Sequence, residues 1–256
     1  MDFQIMELPA GKKLFFLSDF HLGSPDYESS RKRELLLVKF FLEKADEAHA
    51  VFLVGDLFDF WFEYRHVVPK GYIRFFGALA ALADAGIELH FFAGNHDMWM
   101  KDYLTREINL QVHMNAHCFE ANGKKFYVAH GDGLGPGDHK YKMLKTIFRN
   151  PVSQWLFGIL PPAIGMGTAN YFSDKSRQTG VEEQHFYGID KERLILHSQE
   201  MLRKEHFDYF IYGHRHLPGK YAIADGSEYV NLGDWISFNS YAVFDGHQLS
   251  LEYYPL

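Results

Sequence analysis

Five times along the chain, a short apolar run the length of a buried strand ends abruptly in aspartate, asparagine or histidine. The runs are KLFFLSDFH (13–21), AVFLVGDLFD (50–59), ELHFFAGNHD (88–97), KFYVAHGD (125–132) and YFIYGHRH (209–216). Unbroken apolar stretches rich in Val, Ile and Phe suit strands covered on both faces, as helices cover a parallel sheet. In such α/β folds, ligands bind beyond the carboxyl ends of the strands, where loops converge. Any one cluster reads as a turn. Five at matching positions predict one shared site.

Helical patterns fall between several of these phrases. SSRKRELLLVKFFLEKADE sets Leu35, Val38, Leu42 and Ala45 on one face, with Ser29 or Ser30 as N-cap. GYIRFFGALAALADAGI ends at Gly86, where a C-cap glycine belongs, and DKERLILHSQEMLRKEH opens at Asp190. The tail, EYVNLGDWISFNSYAVFDGHQLSLEYY, has turn dipeptides and β-rich runs without a helix, and predicts an antiparallel meander. The expected fold class is α/β: a sheet with helices outside, and a second sheet from the C-terminal half.

Composition narrows the setting. A chain of 256 residues, 47% hydrophobic, is large enough for a core without disulfide support, and the single Cys118 excludes an internal disulfide. The N-terminus MDFQIMELPAGKK does not resemble a signal peptide, and no apolar segment approaches the roughly 20 residues that span a bilayer. The expected location is therefore cytoplasmic. A formal charge of −7 argues against a general nucleic-acid binder.

The clusters supply carboxylates, one amide oxygen and imidazoles, but no thiolate. That donor set suits Mn, Fe or Zn in five- or six-coordinate sites and does not suit a structural zinc. There are more donors than one ion needs. Two ions sharing a carboxylate would use about seven, and paired metals promote in-line displacement at phosphorus. Asp56, in a tight Gly-Asp turn, is the natural bridge. Most of the other histidines are expected to be structural: His90 in the core or at a sheet edge, and His49, His66, His113, His117, His206 and His247 at the surface. Trp61 and Trp99 follow the metal motifs as core or cleft wall.

The order Asp19-x-His21, Gly55-Asp56-x-x-Asp59, Gly94-Asn95-His96-Asp97, His130-Gly131-Asp132 and Gly213-His214-x-His216 resembles the calcineurin-like metallophosphoesterases. That resemblance implies two facing mixed β-sheets flanked by helices, an αββα sandwich, as a single domain over 1–256. It implies one metal held by Asp19, His21, Asp56 and His216, and a second by Asp56, Asn95, His130 and His214. Two divalent ions are implied, with Mn²⁺ first and Fe or Zn as alternatives. It also makes His96 the catalytic proton donor or phosphate contact, with Asp59 orienting its imidazole.

Within the family, GDLFDFWFEY resembles the UDP-2,3-diacylglucosamine diphosphatases of lipid A biosynthesis, which release UMP and a diacylglucosamine 1-phosphate. The alternative is a phosphoesterase for a soluble substrate. The best-known lipid enzymes carry arginine where His96 stands. The lipid branch implies a helical cap inserted over 138–190, with Asn95, His96, Asp138 and Tyr141 touching substrate. The cap does not reproduce that branch's Ser/Asn/Lys set at matching spacing, so Lys175 and Arg177 are expected in its place as phosphate or glucosamine contacts. His139 and His185 lie near that cap. Independently, 139–177 carries Lys140, Lys142, Lys145, Arg149, Lys175 and Arg177 against one acid, Asp174, beside Ile147, Phe148, Trp155, Leu156, Phe157, Ile159 and Leu160. A basic, apolar insertion suits acyl chains and the anionic cytoplasmic face of the inner membrane, with the protein attached peripherally.

Overall fold

The structure is a computed structural model that describes residues 3–168 and 185–255. The first sheet is built from β2 (Lys13–Leu17), β3 (Ala48–Leu53), β4 (Glu88–Phe92), β5 (Gln111–His113), β11 (Ser240–Phe244) and β12 (Leu249–Tyr253), in the order β12-β11-β2-β3-β4-β5. The second contains β1 (Gln4–Met6), β6 (His117–Ala121), β7 (Lys124–Ala129), β8 (Tyr209–Tyr212), β9 (Gly219–Ala224) and β10 (Ser227–Asn231), in the order β1-β6-β7-β8-β10-β9. Both are mixed. β2, β3, β4 and β5 run parallel, as do β7, β8 and β10, with antiparallel strands at the margins.

Strand alternation produces the layers, because successive side chains point to opposite faces. Leu14, Phe16, Ala50 and Phe52 face inward and meet Phe119, Phe126, Val128 and Ile211 of the second sheet. The contact is aromatic: Phe52 stacks on Phe119 at 5.0 Å and on Phe16 at 4.7 Å. Phe15, Leu17, Val51 and Leu53 face outward, onto α1 (Tyr27–Lys44) and α2 (Ile73–Asp84), with α3 (Tyr103–Ile108) beyond them. Tyr127, Ala129, Phe210 and Tyr212 cover the outer side of the second sheet with α6 (Arg193–Leu202). This is the expected αββα sandwich. α4 (His139–Arg149) and α5 (Pro151–Ile159) lie between β7 and β8 in the chain.

Local expectations fared unevenly. α1 is capped by Asp26, whose carboxylate accepts from Ser29 N at 2.9 Å, and not by Ser29 or Ser30. Its buried face is Ser30, Arg33, Glu34, Leu37, Phe40 and Phe41, while Leu35 and Leu42 are exposed. Two charged residues take core positions because each binds backbone. Arg33 donates to the His21 carbonyl at 2.8 Å and to that of Ser24, and Glu34 accepts from Arg74 N and Phe75 N. Gly86, with φ +81°, follows α2 as expected. α6 starts at Arg193 rather than Asp190, because residues 188–192 form a turn in which the amides of Lys191 and Glu192 both donate to the Gly188 carbonyl. The tail is divided between the sheets instead of forming one meander: β10 pairs antiparallel with the preceding β9 in one, and β11 with β12 in the other.

Candidate metal centre

Each of the five clusters follows the carboxyl end of a strand: β2, β3, β4, β7 and β8. The loops are sharply bent there. Asp19, His21, Asp56, His214 and His216 all have positive φ, between 43° and 67°. Non-glycine residues seldom adopt this region, and such strain concentrates where function fixes the backbone. Gly94 lacks a side chain for a related reason, since a Cβ there would strike Asp56 Oδ1.

The clusters converge on Asp56. Its Oδ2 lies 3.7 Å from His21 Nε2 and 3.3 Å from His130 Nε2, while Oδ1 accepts from His96 N at 2.9 Å. On one side, Asp19, His21 and His216 bring ligand atoms within 4.8 Å of one another. On the other, Asp56, His130 and His214 do the same, and Asn95 Oδ1 is 3.2 Å from His130 Nε2. His21, Asp59 and His96 form a third such group.

The donors fit divalent cations by two tests. Asp19 Oδ1 and both ring nitrogens of His21 are buried without a hydrogen-bond partner, an arrangement that costs free energy unless something else binds them. The outward nitrogens are also fixed. His130 Nδ1 lies 2.8 Å from the Val54 carbonyl, which can only accept, so Nε2 faces the cluster. His216 Nδ1 lies 3.0 Å from Asp234 Oδ2, leaving Nε2 3.4 Å from Asp19 Oδ1. Carboxylates and carbonyls behind the imidazoles are the usual orienting partners of metal-binding histidines.

Electrostatics agree with the donor geometry. Burial pushes His21 down, yet Asp19 and Asp59 reverse it to about 10; Asp56 and Asp19 likewise carry His130 to about 10 against burial. Burial raises Asp19 and Asp56, and the facing imidazoles overcome it and hold both below the usual carboxylate range. The centre is an excess of negative charge that draws protons to imidazole in the absence of cations.

His96 differs. Burial lowers its pKa despite Asp56, and its Nδ1 is 2.8 Å from the Asp59 carbonyl oxygen. Nδ1 therefore donates, because a carbonyl oxygen can only accept. It is the Asp59 backbone that holds His96, while the Asp59 carboxylate Oδ1 lies 3.8 Å from His21 Nδ1.

Asp138 sits at the start of α4, paired with Arg193 at 3.3 Å. The Tyr141 hydroxyl donates to Asp132 Oδ2 at 2.6 Å. Lys145 Nζ joins the same oxygen at 2.6 Å. Lys175 and Arg177 lie outside the described residues. Trp61 is core, whereas Trp99 is half-buried, donates to the Phe148 carbonyl at 2.8 Å and packs on Phe157 at 4.6 Å. His139 and His185 are exposed. His113 and His117 are not surface residues. They are half-buried and stack in a row with His90, whose own core placement was expected.

Sequence reasoning missed three supporting residues. Asp97 is fully buried and accepts from the amides of Asp56, Leu57 and Gly94, tying two metal loops together. Asp234 holds His216 while accepting from the amides of Ile236, Ser237 and Phe238. Arg33 holds the His21 carbonyl. The Gly233-Asp234 dipeptide read only as a turn, although an aspartate after a strand is the recurring signal of this chain.

Residues 12–218 match the calcineurin-like phosphoesterase family. A UDP-2,3-diacylglucosamine hydrolase from Porphyromonas gingivalis is 41% identical over 253 residues, covering 94% of this chain and 97% of that protein. Proteins of the same description from Nitrosococcus oceani and a Shewanella species are 28% and 24% identical, covering 86% and 95% of this chain and 86% and 97% of their own lengths. With five loops delivering the family's motifs to one point and the match spanning most of its length, the chain belongs to the calcineurin-like phosphoesterases.

Proposed function

We infer that this protein is a metal-dependent hydrolase of UDP-2,3-diacylglucosamine, cleaving the diphosphate to UMP and 2,3-diacylglucosamine 1-phosphate. The observation that carries the substrate assignment is the 41% identity to a hydrolase of that name over nearly the full length of both chains. Asp19, His21, Asp56 and His216 would hold one cation, and Asp56, Asn95, His130 and His214 the other, with Mn²⁺ the proposed metal. Such a pair supplies Lewis-acid polarisation of phosphoryl oxygens and makes water ionise near neutral pH.

The residues around that centre have separate tasks. Asp56 spans both clusters and fixes their spacing. The His96 imidazole, held through Nδ1 by the Asp59 carbonyl, meets the diphosphate; incoming negative charge raises its pKa and equips it to protonate the leaving oxygen. Asp138 and Tyr141 stand where α4 meets the loop after His130, and are proposed as substrate contacts, as are Lys175 and Arg177.

Residues 138–190 are proposed as the cap. No residue of α4 or α5 is buried, and Met143, Ile147, Val152, Trp155, Leu156 and Ile159 are exposed apolar residues. A cleft of about 930 Å³ runs between α5 and the body, with Phe62, Val67, Val68, Trp155 and Ile159 as apolar wall and Arg65, Lys101 and Arg106 among its charged residues. It suits the acyl chains. The exposed face, with Lys140 beside it, suits peripheral attachment to the cytoplasmic face of an anionic inner membrane. Among the described residues, no helix is long and apolar enough to cross one. Lys145 and Arg149 do not join that face, since they bind Asp132 and Asn115.

The test is turnover by the purified protein with Mn²⁺. UMP release from UDP-2,3-diacylglucosamine in mixed micelles is expected. Cleavage of small phosphodiesters with the lipid nucleotide untouched would overturn the assignment in favour of a soluble substrate.

A further inference from the structure

A second cavity, of about 290 Å³, opens on the flank of the metal centre served by β4 and β7. His130, a residue of the second cluster, forms part of its wall together with Gly131 and Asp132. An occupant of this cavity therefore lies against the loop 130–132, at the edge of the second cluster. Its size lies at the low end of small-molecule pockets, enough for a base and ribose but not for two acyl chains.

The lining divides by chemistry. Phe92, Tyr127 and Leu134 form an apolar floor, and Asn115, Lys145 and Arg149 supply polar groups. The Asp132 carboxylate is already engaged by Tyr141 and Lys145. Arg149 Nη1 reaches Asn115 Oδ1 at 3.3 Å, while Arg149 Nε is buried without a hydrogen-bond partner. A buried guanidinium donor left unbonded is costly, and an anion or a carbonyl oxygen would satisfy it. The Asn115 amide both donates and accepts, which matches the alternating C=O and N–H edge of a pyrimidinedione.

The two helices after β7 separate the cavities. Lys145 and Arg149, one turn apart on α4, line the smaller cavity, whereas Gln154, Trp155 and Ile159 of α5 line the larger. A diphosphate diester whose halves are so unlike needs two such compartments, on either side of the phosphorus that is attacked. We propose that the smaller cavity is the nucleotide pocket, holding the uridine 5′-monophosphate half, with Arg149 and Asn115 as its specificity-determining residues. This rests on the substrate reading above.

The experiment uses the full-length Mn²⁺-loaded protein and measures the affinity for each product separately: UMP, and 2,3-diacylglucosamine 1-phosphate in detergent. Arg149→Ala is expected to weaken UMP at least tenfold and the lipid product less than twofold, with metal content unchanged. Asn115→Ala, on an exposed loop and so tolerant of truncation, should narrow the preference for UMP over AMP. UMP binding indifferent to both substitutions, or loss of both products in parallel, would overturn the pocket. If the wild-type protein binds UMP through Arg149 but fails to cleave the lipid nucleotide, the pocket stands and the substrate reading falls. If it cleaves the lipid nucleotide while UMP ignores Arg149, the substrate reading stands and the pocket falls.

Discussion

Two groups of buried histidines sit a strand or two apart and behave oppositely. His21 and His130 are pushed up to about 10, while His90 is pushed down to about 3 and His113 to about 4. Burial lowers all four, so burial does not distinguish them. The neighbours do. His21 and His130 face Asp19, Asp56 and Asp59, which reverse the desolvation. His90 lies between the rings of Phe52 at 4.5 Å and His113 at 5.3 Å, with Nδ1 3.0 Å from His113 Nε2. Glu88 comes within 3.4 Å of His90 Nε2, but it is half exposed and does not compensate. An imidazole among carboxylates belongs to a cation site; an imidazole among rings is a polar substitute for phenylalanine.

The largest effect should come from removing the carboxylate that the first group shares. Asp56→Ala takes away the oxygen lying between His21 and His130, and both metals should weaken together. Lost Lewis-acid stabilisation of several kcal/mol corresponds to a fall in kcat/KM on the order of 10³-fold, with metal content measured in parallel. A variant with two metals and near-normal turnover would break the carboxylate side of the comparison. Next in size, His96→Ala should keep both metals and lose about 10²-fold in kcat, the scale of general acid catalysis. Asn95→Ala, one residue away, should instead lower the metal content toward one ion.

The two groups were unequally legible in the sequence. The metal histidines announce themselves because each follows an apolar run by one to four residues, a spacing set by the strand end itself. His113 and His117 carry no such mark: each lies at one end of a short strand, and their burial depends on the packing of one sheet against the other. Asp97, Asp234 and Arg33 stayed hidden because their partners are backbone amides and carbonyls, which every residue possesses. The buried face of α1 was misread because LLLVKFFL is apolar all round. Periodicity cannot choose a face there, and tertiary contacts to Arg33 and Glu34 decided it. The division of the tail between two sheets depends on which edge each hairpin reaches.

The pH dependence of stability should carry opposite signs in the two groups. His90 and His113 bind protons in the unfolded chain at about 6.5 but resist them when folded. Their contribution is therefore fully present above about pH 6.5 and is lost as pH falls toward 4 and then 3, by up to about 1.4 kcal/mol per pH unit for each histidine. His90→Phe, which keeps the stack on Phe52, should flatten that acid limb in urea unfolding measured from pH 7 to pH 4. In metal-stripped protein His21 and His130 act the other way: stability is full below about 6.5 and declines as pH rises through 10. Loading with Mn²⁺ should abolish this alkaline decline and release protons, detectable with an indicator dye.

The smallest expected effect tests whether the contrast belongs to environment or merely to histidine content. His247 is exposed, and its backbone amide donates to Asp245 Oδ1 at 2.8 Å, so the imidazole belongs to neither carboxylate cage nor ring stack. His247→Ala should change unfolding free energy by less than about 0.5 kcal/mol and leave the acid limb superimposable on the wild type, as surface substitutions generally do. If His247→Ala flattened the acid limb as much as His90→Phe, the limb would reflect accumulated charge over the whole surface. The stacked rings would then have no titration of their own to explain.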